Sequence, residues 1–171
     1  AACDAGLCPH SGHGAQGDYL FFYSIDYPPE VCRTVQQTAR RLHLPVYILF
    51  TGNKTYRALP YGFRLARHQT PGDFLALVKG AKLVLSTSFH GTVFALRFGT
   101  PFYALKAKRG AAYYTDPRIA TLLQTAGVAE RYLPCDRAGE INTAPLHRDP
   151  ALLDRAVAES RAFLQEGLTA R

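Results

Sequence analysis

Tyr19-Leu20-Phe21-Phe22-Tyr23 is an unbroken apolar run, and a run without polar alternation reads as a β-strand covered on both faces. Pro28-Pro29 then opens a helix in which Val31, Val35, Ala39 and Leu42 recur at near-helical spacing while Arg33, Gln37, Arg40 and Arg41 face outward; Leu44-Pro45 closes it. Val46-Tyr47-Ile48-Leu49-Phe50 is a second covered strand, ended by Thr51-Gly52-Asn53, and the three elements make a βαβ unit with an expected right-handed crossover. Between 54 and 69 aromatic and basic residues alternate, which reads as a loop with a short strand.

From Thr70 the punctuation is clearer. Thr70-Pro71-Gly72-Asp73 supplies a capping hydroxyl, a proline at the first helical position and a first-turn acid, and Gly80 ends that helix. The same device recurs at Asp116-Pro117 and Asp149-Pro150. Between these lie a strand at 82–86, an apolar helix (Val93, Phe94, Leu96, Phe98) stopped by Gly99-Thr100-Pro101, a strand at 102–105, and a helix from Pro117 to Ala126 stopped by Gly127. Arg131-Tyr132-Leu133 is a short strand, 136–148 a polar connection, and Leu152, Leu153, Ala156, Val157, Phe163 and Leu164 give a last helix an apolar stripe. Strands alternating with helices predict an α/β domain, Rossmann-like, with a mostly parallel sheet and helices on both faces.

The 171 residues fit one domain, which at this size buries roughly 70% of the surface its unfolded chain exposes. The expected division is a loosely ordered segment at 1–18 and a folded domain at 19–171. A formal charge of +7, from 20 Lys and Arg against 13 Asp and Glu, favours anionic ligands without naming one. Nucleic acid is disfavoured, because no zinc-finger or RNP-type pattern accompanies the charge. No apolar run is long enough for a membrane span, and the first residues lack a basic-then-apolar leader pattern, so a cytoplasmic location is expected. The chain holds no methionine, which fits a segment cut from a longer protein. Of the four cysteines, Cys3, Cys8, Cys32 and Cys135, none forms a Cys-x-x-Cys knuckle, and free thiols are expected. Cys3, Cys8, His10 and His13 fit no usual zinc spacing, so no metal is assigned.

The chemistry concentrates at Ser86-Thr87-Ser88-Phe89-His90-Gly91-Thr92, between a buried strand and the start of a helix. In open α/β sheets ligands collect at the carboxyl ends of strands, and the first helical N–H groups there favour an anion. Ser88 is placed to cap the helix and donate to a phosphate oxygen, and Gly91 to let a ligand approach the backbone. Taken alone, His90 reads first as a core histidine satisfying a carbonyl and only second as a ligand-contacting group.

Asp73-Phe74-Leu75-Ala76-Leu77-Val78, Ala81, Ser88-Phe89-His90-Gly91-Thr92-Val93-Phe94 and Gly99-Thr100-Pro101-Phe102 together resemble the polysaccharide pyruvyl transferase family. Asp116-Pro117-Arg118-Ile119, Leu122-Leu123, Gly127-Val128 through Arg131, and Ser160 through Leu164 extend the resemblance over about 19–168. It implies the carboxyl-terminal half of a glycosyltransferase-B-like, two-domain enzyme. That enzyme moves the enolpyruvyl group of phosphoenolpyruvate onto two sugar hydroxyls as a ketal, releasing phosphate, in cell-envelope or exopolysaccharide assembly. The implied partners are phosphoenolpyruvate, as donor substrate and not cofactor, and a sugar on a glycan or lipid carrier, met at the inner face of the membrane. His90 is the candidate acid that delivers a proton to the methylene carbon, or a charged donor to the departing phosphate. Ser88, Gly91 and Thr92 are candidate substrate contacts. Some branches of the family carry Arg where this chain has Ser88, so a cation must come from elsewhere; Lys108 and Arg109 are the candidates. Two other readings fit the same pattern: a nucleotide-sugar glycosyltransferase half-domain, and a non-catalytic binding module on an α/β scaffold.

Overall fold

The computed structural model describes residues 17–67, 69–147 and 150–169. Expectations for Cys3, Cys8, His10, His13 and the Asp149 cap lie outside these residues, as does all of the 1–18 segment except Gly17 and Asp18, which open the first strand.

Strand β1 (Gly17–Tyr23) leads into α1 (Pro29–Leu42) and β2 (Val46–Ile48), and two 3-10 turns then bring the chain to the two-residue β3 (Arg64–Leu65). Next come α2 (Pro71–Gly80), β4 (Ala81–Ser86), α3 (Phe89–Phe98) and β5 (Phe102–Lys106). A small antiparallel hairpin, β6 (Lys108–Arg109) and β7 (Ala112–Tyr113), precedes α4 (Pro117–Thr125), β8 (Tyr132–Pro134) and α5 (Pro150–Thr169). The main sheet has six strands in the order β3-β2-β1-β4-β5-β8, every pair parallel. Chain order runs one way from β1 to β3 and the other way from β4 to β8, so the topological switch point lies between β1 and β4.

The strands are apolar without alternation because both faces are covered. Leu20 and Phe22 of β1, with Leu83 and Leu85 of β4, pack on the α1 side against Val31, Cys32 and Val35. Tyr19, Phe21 and Val84 pack on the other side, against Leu77 and Val78 of α2, Ala95 and Leu96 of α3, and Ile119 and Leu123 of α4. Both described cysteines, Cys32 and Cys135, are free and buried. Burial pushes the Cys32 thiol up to about 12, so it is neutral and inert at physiological pH.

Two expectations are corrected, and the unassigned segment between them is placed. Strand β2 ends at Ile48, because side chains take the next backbone groups out of the ladder: the Tyr27 hydroxyl donates to the Leu49 carbonyl at 2.7 Å, and the Phe50 N–H donates to Gln69 Oε1 at 2.9 Å. The segment after β5 folds back as a hairpin about Gly110, whose φ of 63° is left-handed and suits glycine. The apolar stripe of α5 is not core: Leu152, Val157, Phe163 and Leu164 are exposed, and the helix touches the body where Leu152 approaches Gly127.

Candidate functional site

The carboxyl ends of β1 and β4 are bound together at the switch point by serine and threonine oxygens. Ser86 lies opposite Tyr23 in register; its hydroxyl donates to the Tyr23 carbonyl at 2.9 Å and accepts the Ser88 N–H at 2.9 Å. Thr87 donates from its N–H to the same Tyr23 carbonyl and from Oγ1 to Ser24 Oγ, at 3.2 and 2.8 Å. Ser24, fully buried, also accepts the Tyr27 N–H at 3.1 Å. Tyr27 sits at a left-handed φ of 45°, held there by full burial of its ring and its bond to Leu49.

Four helices start at or near the rim of this sheet, and their first turns differ in chemistry. At α1 two prolines and Glu30 occupy the opening positions, which removes donors and adds negative charge. At α2 the Thr70–Asp73 capping box closes reciprocally: the Thr70 N–H donates to Asp73 Oδ2 at 2.9 Å, and the Asp73 N–H to Thr70 Oγ1 at 3.2 Å. At α4 the Asp116 carboxylate accepts the Arg118 N–H at 2.9 Å. At α3, beside the switch point, no side chain caps the helix. Ser88 occupies the cap position with extended backbone, but its hydroxyl makes no capping bond, contrary to expectation. The macrodipole and the first N–H groups of α3 are therefore turned toward the rim with no acidic residue in the helix's own first turn.

His90, in the first turn of α3, is exposed and sits edge-on to Phe89 with ring centroids 5.9 Å apart. The reading of His90 as a core histidine therefore does not hold. Thr92 is fully buried and donates to the Ser88 carbonyl at 3.0 Å, so its hydroxyl braces the helix start from within. Gly91 is also buried, and its missing side chain makes room for the sheet: a Cβ there would collide with Ser86 Oγ and come within 3.0 Å of Ser86 Cβ and 3.1 Å of Tyr23 Cδ1.

Lys108 and Arg109 lie on the hairpin beyond β5, each held over a tyrosine of the same segment. The Lys108 ammonium is 5.5 Å from the Tyr113 ring centre and the Arg109 guanidinium 3.8 Å from that of Tyr114. Backbone contact ties Lys108 to α1, its N–H donating to Glu30 Oε1 at 3.3 Å. The cation brought against the α3 start is another one, Arg118. Its guanidinium stands 5.3 Å from the Phe89 ring centre and pairs with Asp116 at 2.8 Å. Sequence reasoning did not single out Arg118, since nothing in the spacing from 90 to 118 places the two together; the available signal was the position of Arg118 in the first turn of the helix after the neighbouring strand.

Asp116 organises this arm. The Arg118 guanidinium beside it holds its carboxyl below the usual carboxylate range. Its N–H is taken by the Tyr132 hydroxyl at 2.8 Å. Asp116→Ala is expected to cost about 1 kcal/mol through the lost cap. Because the folded-state pKa is depressed, that contribution is present above the ordinary carboxylate value and fades as pH falls through the folded-state value. Urea denaturation at neutral and at acidic pH checks this: the gap between wild type and variant narrows in acid, and a gap that persists there would remove the ionic account.

Among the described residues no group of His, Cys, Asp and Glu side chains is arranged to hold a metal ion, and no helix is long and apolar enough to cross a membrane.

No curated protein matches the chain. Among solved structures it is similar to the crystal structure of UDP-GlcNAc 2-epimerase from Neisseria meningitidis bound to UDP-GlcNAc, at 13% identity and a TM-score of 0.43. That likeness covers 74% of this chain, and the chain spans only 40% of the epimerase. The family described as Polysaccharide pyruvyl transferase matches residues 11–108. The match takes in β1 through β5 and the whole of the α3 corner; it begins before the expected 19 and stops short of the expected 168. Spanning more than half of the chain, it shows that this protein belongs to the polysaccharide pyruvyl transferase family.

Proposed function

We propose that this domain binds phosphoenolpyruvate at the start of α3 and takes part in transferring its enolpyruvyl group to two hydroxyls of a sugar as a pyruvate ketal. The observation that carries the reading is the exposed His90 on an uncapped helix start at the switch point, inside the stretch matched to the family. The phosphate of the donor meets the first N–H groups of α3, and Arg118 supplies a cation beside them. One sugar hydroxyl adds to C2 while a proton passes to the methylene carbon, making it a methyl group. The second hydroxyl then forms the other C2–O bond as the bond from C2 to the phosphate oxygen breaks, and its proton leaves with the phosphate or its base. His90 is the group at the corner able to deliver the first proton.

The reaction places the domain in cell-envelope or exopolysaccharide assembly, with the acceptor sugar on a glycan or lipid carrier at the cytoplasmic face of the membrane. Titration of phosphoenolpyruvate into the protein, followed by backbone amide shifts with UDP-glucose as competitor, tests donor binding. Saturable shifts at Ser88 to Thr92 are expected, weakened in His90→Ala and in Arg118→Ala. A preference for UDP-glucose would replace the reading with that of a nucleotide-sugar glycosyltransferase.

A further inference from the structure

On the same rim, one strand beyond β1, two aromatic rings stand in the open. Phe50, just past β2, is 47% exposed, and Tyr56, in the following 3-10 turn, is 64% exposed. Their ring centroids are 6.4 Å apart with the planes at 70°, forming an open corner. Ile25, in the loop after β1, is 59% exposed, and Thr51 draws that loop in, its hydroxyl 3.1 Å from the Ser24 carbonyl and 3.4 Å from that of Ile25. Beside the rings, Lys54 and Asp26 pair at 2.6 Å with both side chains about half exposed. An apolar patch edged by polar groups is the composition of a binding site.

We propose that Phe50 and Tyr56, with Asp26 and Lys54 at their edge, form a platform for a pyranose ring. The chemistry is specific. A pyranose presents a face of C–H groups, which covers aromatic carbon, and an edge of hydroxyls that both donate and accept; the carboxylate accepts and the ammonium donates. Lys54 and Asp26 pair with each other, so the edge presents a donor and an acceptor side by side. The platform is continuous with the donor corner through Thr51, Ser24 and Thr87. β2 and β4, the strands that lead to the two sites, are separated only by β1, about 10 Å across the sheet. Identifying this sugar as the acceptor rests on the pyruvyl-transfer reading above.

Saturation-transfer NMR with methyl β-glucopyranoside and methyl β-galactopyranoside tests the platform. Saturation is expected to reach the ring C–H protons of at least one glycoside, and Phe50→Ala and Tyr56→Ala each weaken its binding roughly tenfold while leaving the amide spectrum of the core intact. Tyr56→Phe keeps the binding. Silence toward both glycosides, an equal response in the alanine variants, or binding of anionic phosphatidylglycerol vesicles through these same residues in place of the glycosides would overturn the assignment. The phosphoenolpyruvate titration at Ser88 to Thr92 reads the donor site separately: glycoside binding without a donor response keeps the platform and removes the acceptor role, and the converse removes the platform alone.

Discussion

Gly91→Val is expected to destabilise the domain by about 3 kcal/mol or more, which for a chain of this length lowers Tm by about 6–12 °C. The cause is steric. α3 lies so close to the end of β4 that even a Cβ at 91 would meet Ser86 Oγ and the Tyr23 ring; Ser86 is buried and hydrogen-bonded and Tyr23 is half-buried on the paired strand, so neither moves aside cheaply. The collision names its own control. Ser86→Gly removes the two nearest of the atoms that would be struck, Oγ and Cβ, and leaves the Tyr23 ring, so although it forfeits the bonds to Tyr23 and Ser88, the double variant should be less destabilised than the sum of the single ones. Thermal unfolding of the four proteins measures this coupling. Strict additivity would mean that glycine is present for another reason, because no positive φ requires it at 91.

His90→Gln is expected to reduce acceptor-dependent phosphate release from phosphoenolpyruvate by about two to four orders of magnitude. Glutamine preserves an N–H donor of similar reach but cannot pass a proton at neutral pH, which separates the two roles that chemistry allows. If the rate collapses while phosphoenolpyruvate still shifts the Ser88 to Thr92 amides, His90 delivers the proton. If donor binding is lost as well, His90 holds the phosphate. A variant with the wild-type rate would take His90 out of the reaction. His90 is exposed and its ring packs edge-on to Phe89, so a loss of this size is not attributable to unfolding.

Much of the architecture was legible because the covered strands, among them 19–23 and 82–86, and the proline-led helix starts are strong local signals. Thr70 and Asp116 cap as their positions imply. Ser88 does not, although it has the same residue chemistry, because the corner around it is organised by Ser86, which takes the Ser88 N–H across two residues. Ser86 is itself fixed by its bond to the Tyr23 carbonyl, which depends on the register between β1 and β4, and no local pattern encodes that register. Gly91 and Thr92 were legible as part of a motif but not in their orientation: both turn inward, toward the sheet and the helix start. The short elements were hidden for another reason. Strands of two residues, such as 64–65 and 108–109, are shorter than the run of roughly 4 residues over which a strand pattern is recognised. Arg118 was missed because its nearness to Phe89 is a property of adjacent strands carrying adjacent helices, which brings together positions far apart in the chain.

Ser24 accepts one hydrogen bond from the Tyr27 backbone and another from Thr87, so both lone pairs of its oxygen are committed before any ligand arrives. The corner is thereby preorganised: the entropy of fixing the loop after β1 against the start of α3 is lost during folding and not on binding. Such a site discriminates by shape and charge, with little capacity to reshape itself around an ill-fitting donor. Substitutions at Ser24 should accordingly broaden the range of anions accepted while weakening each of them.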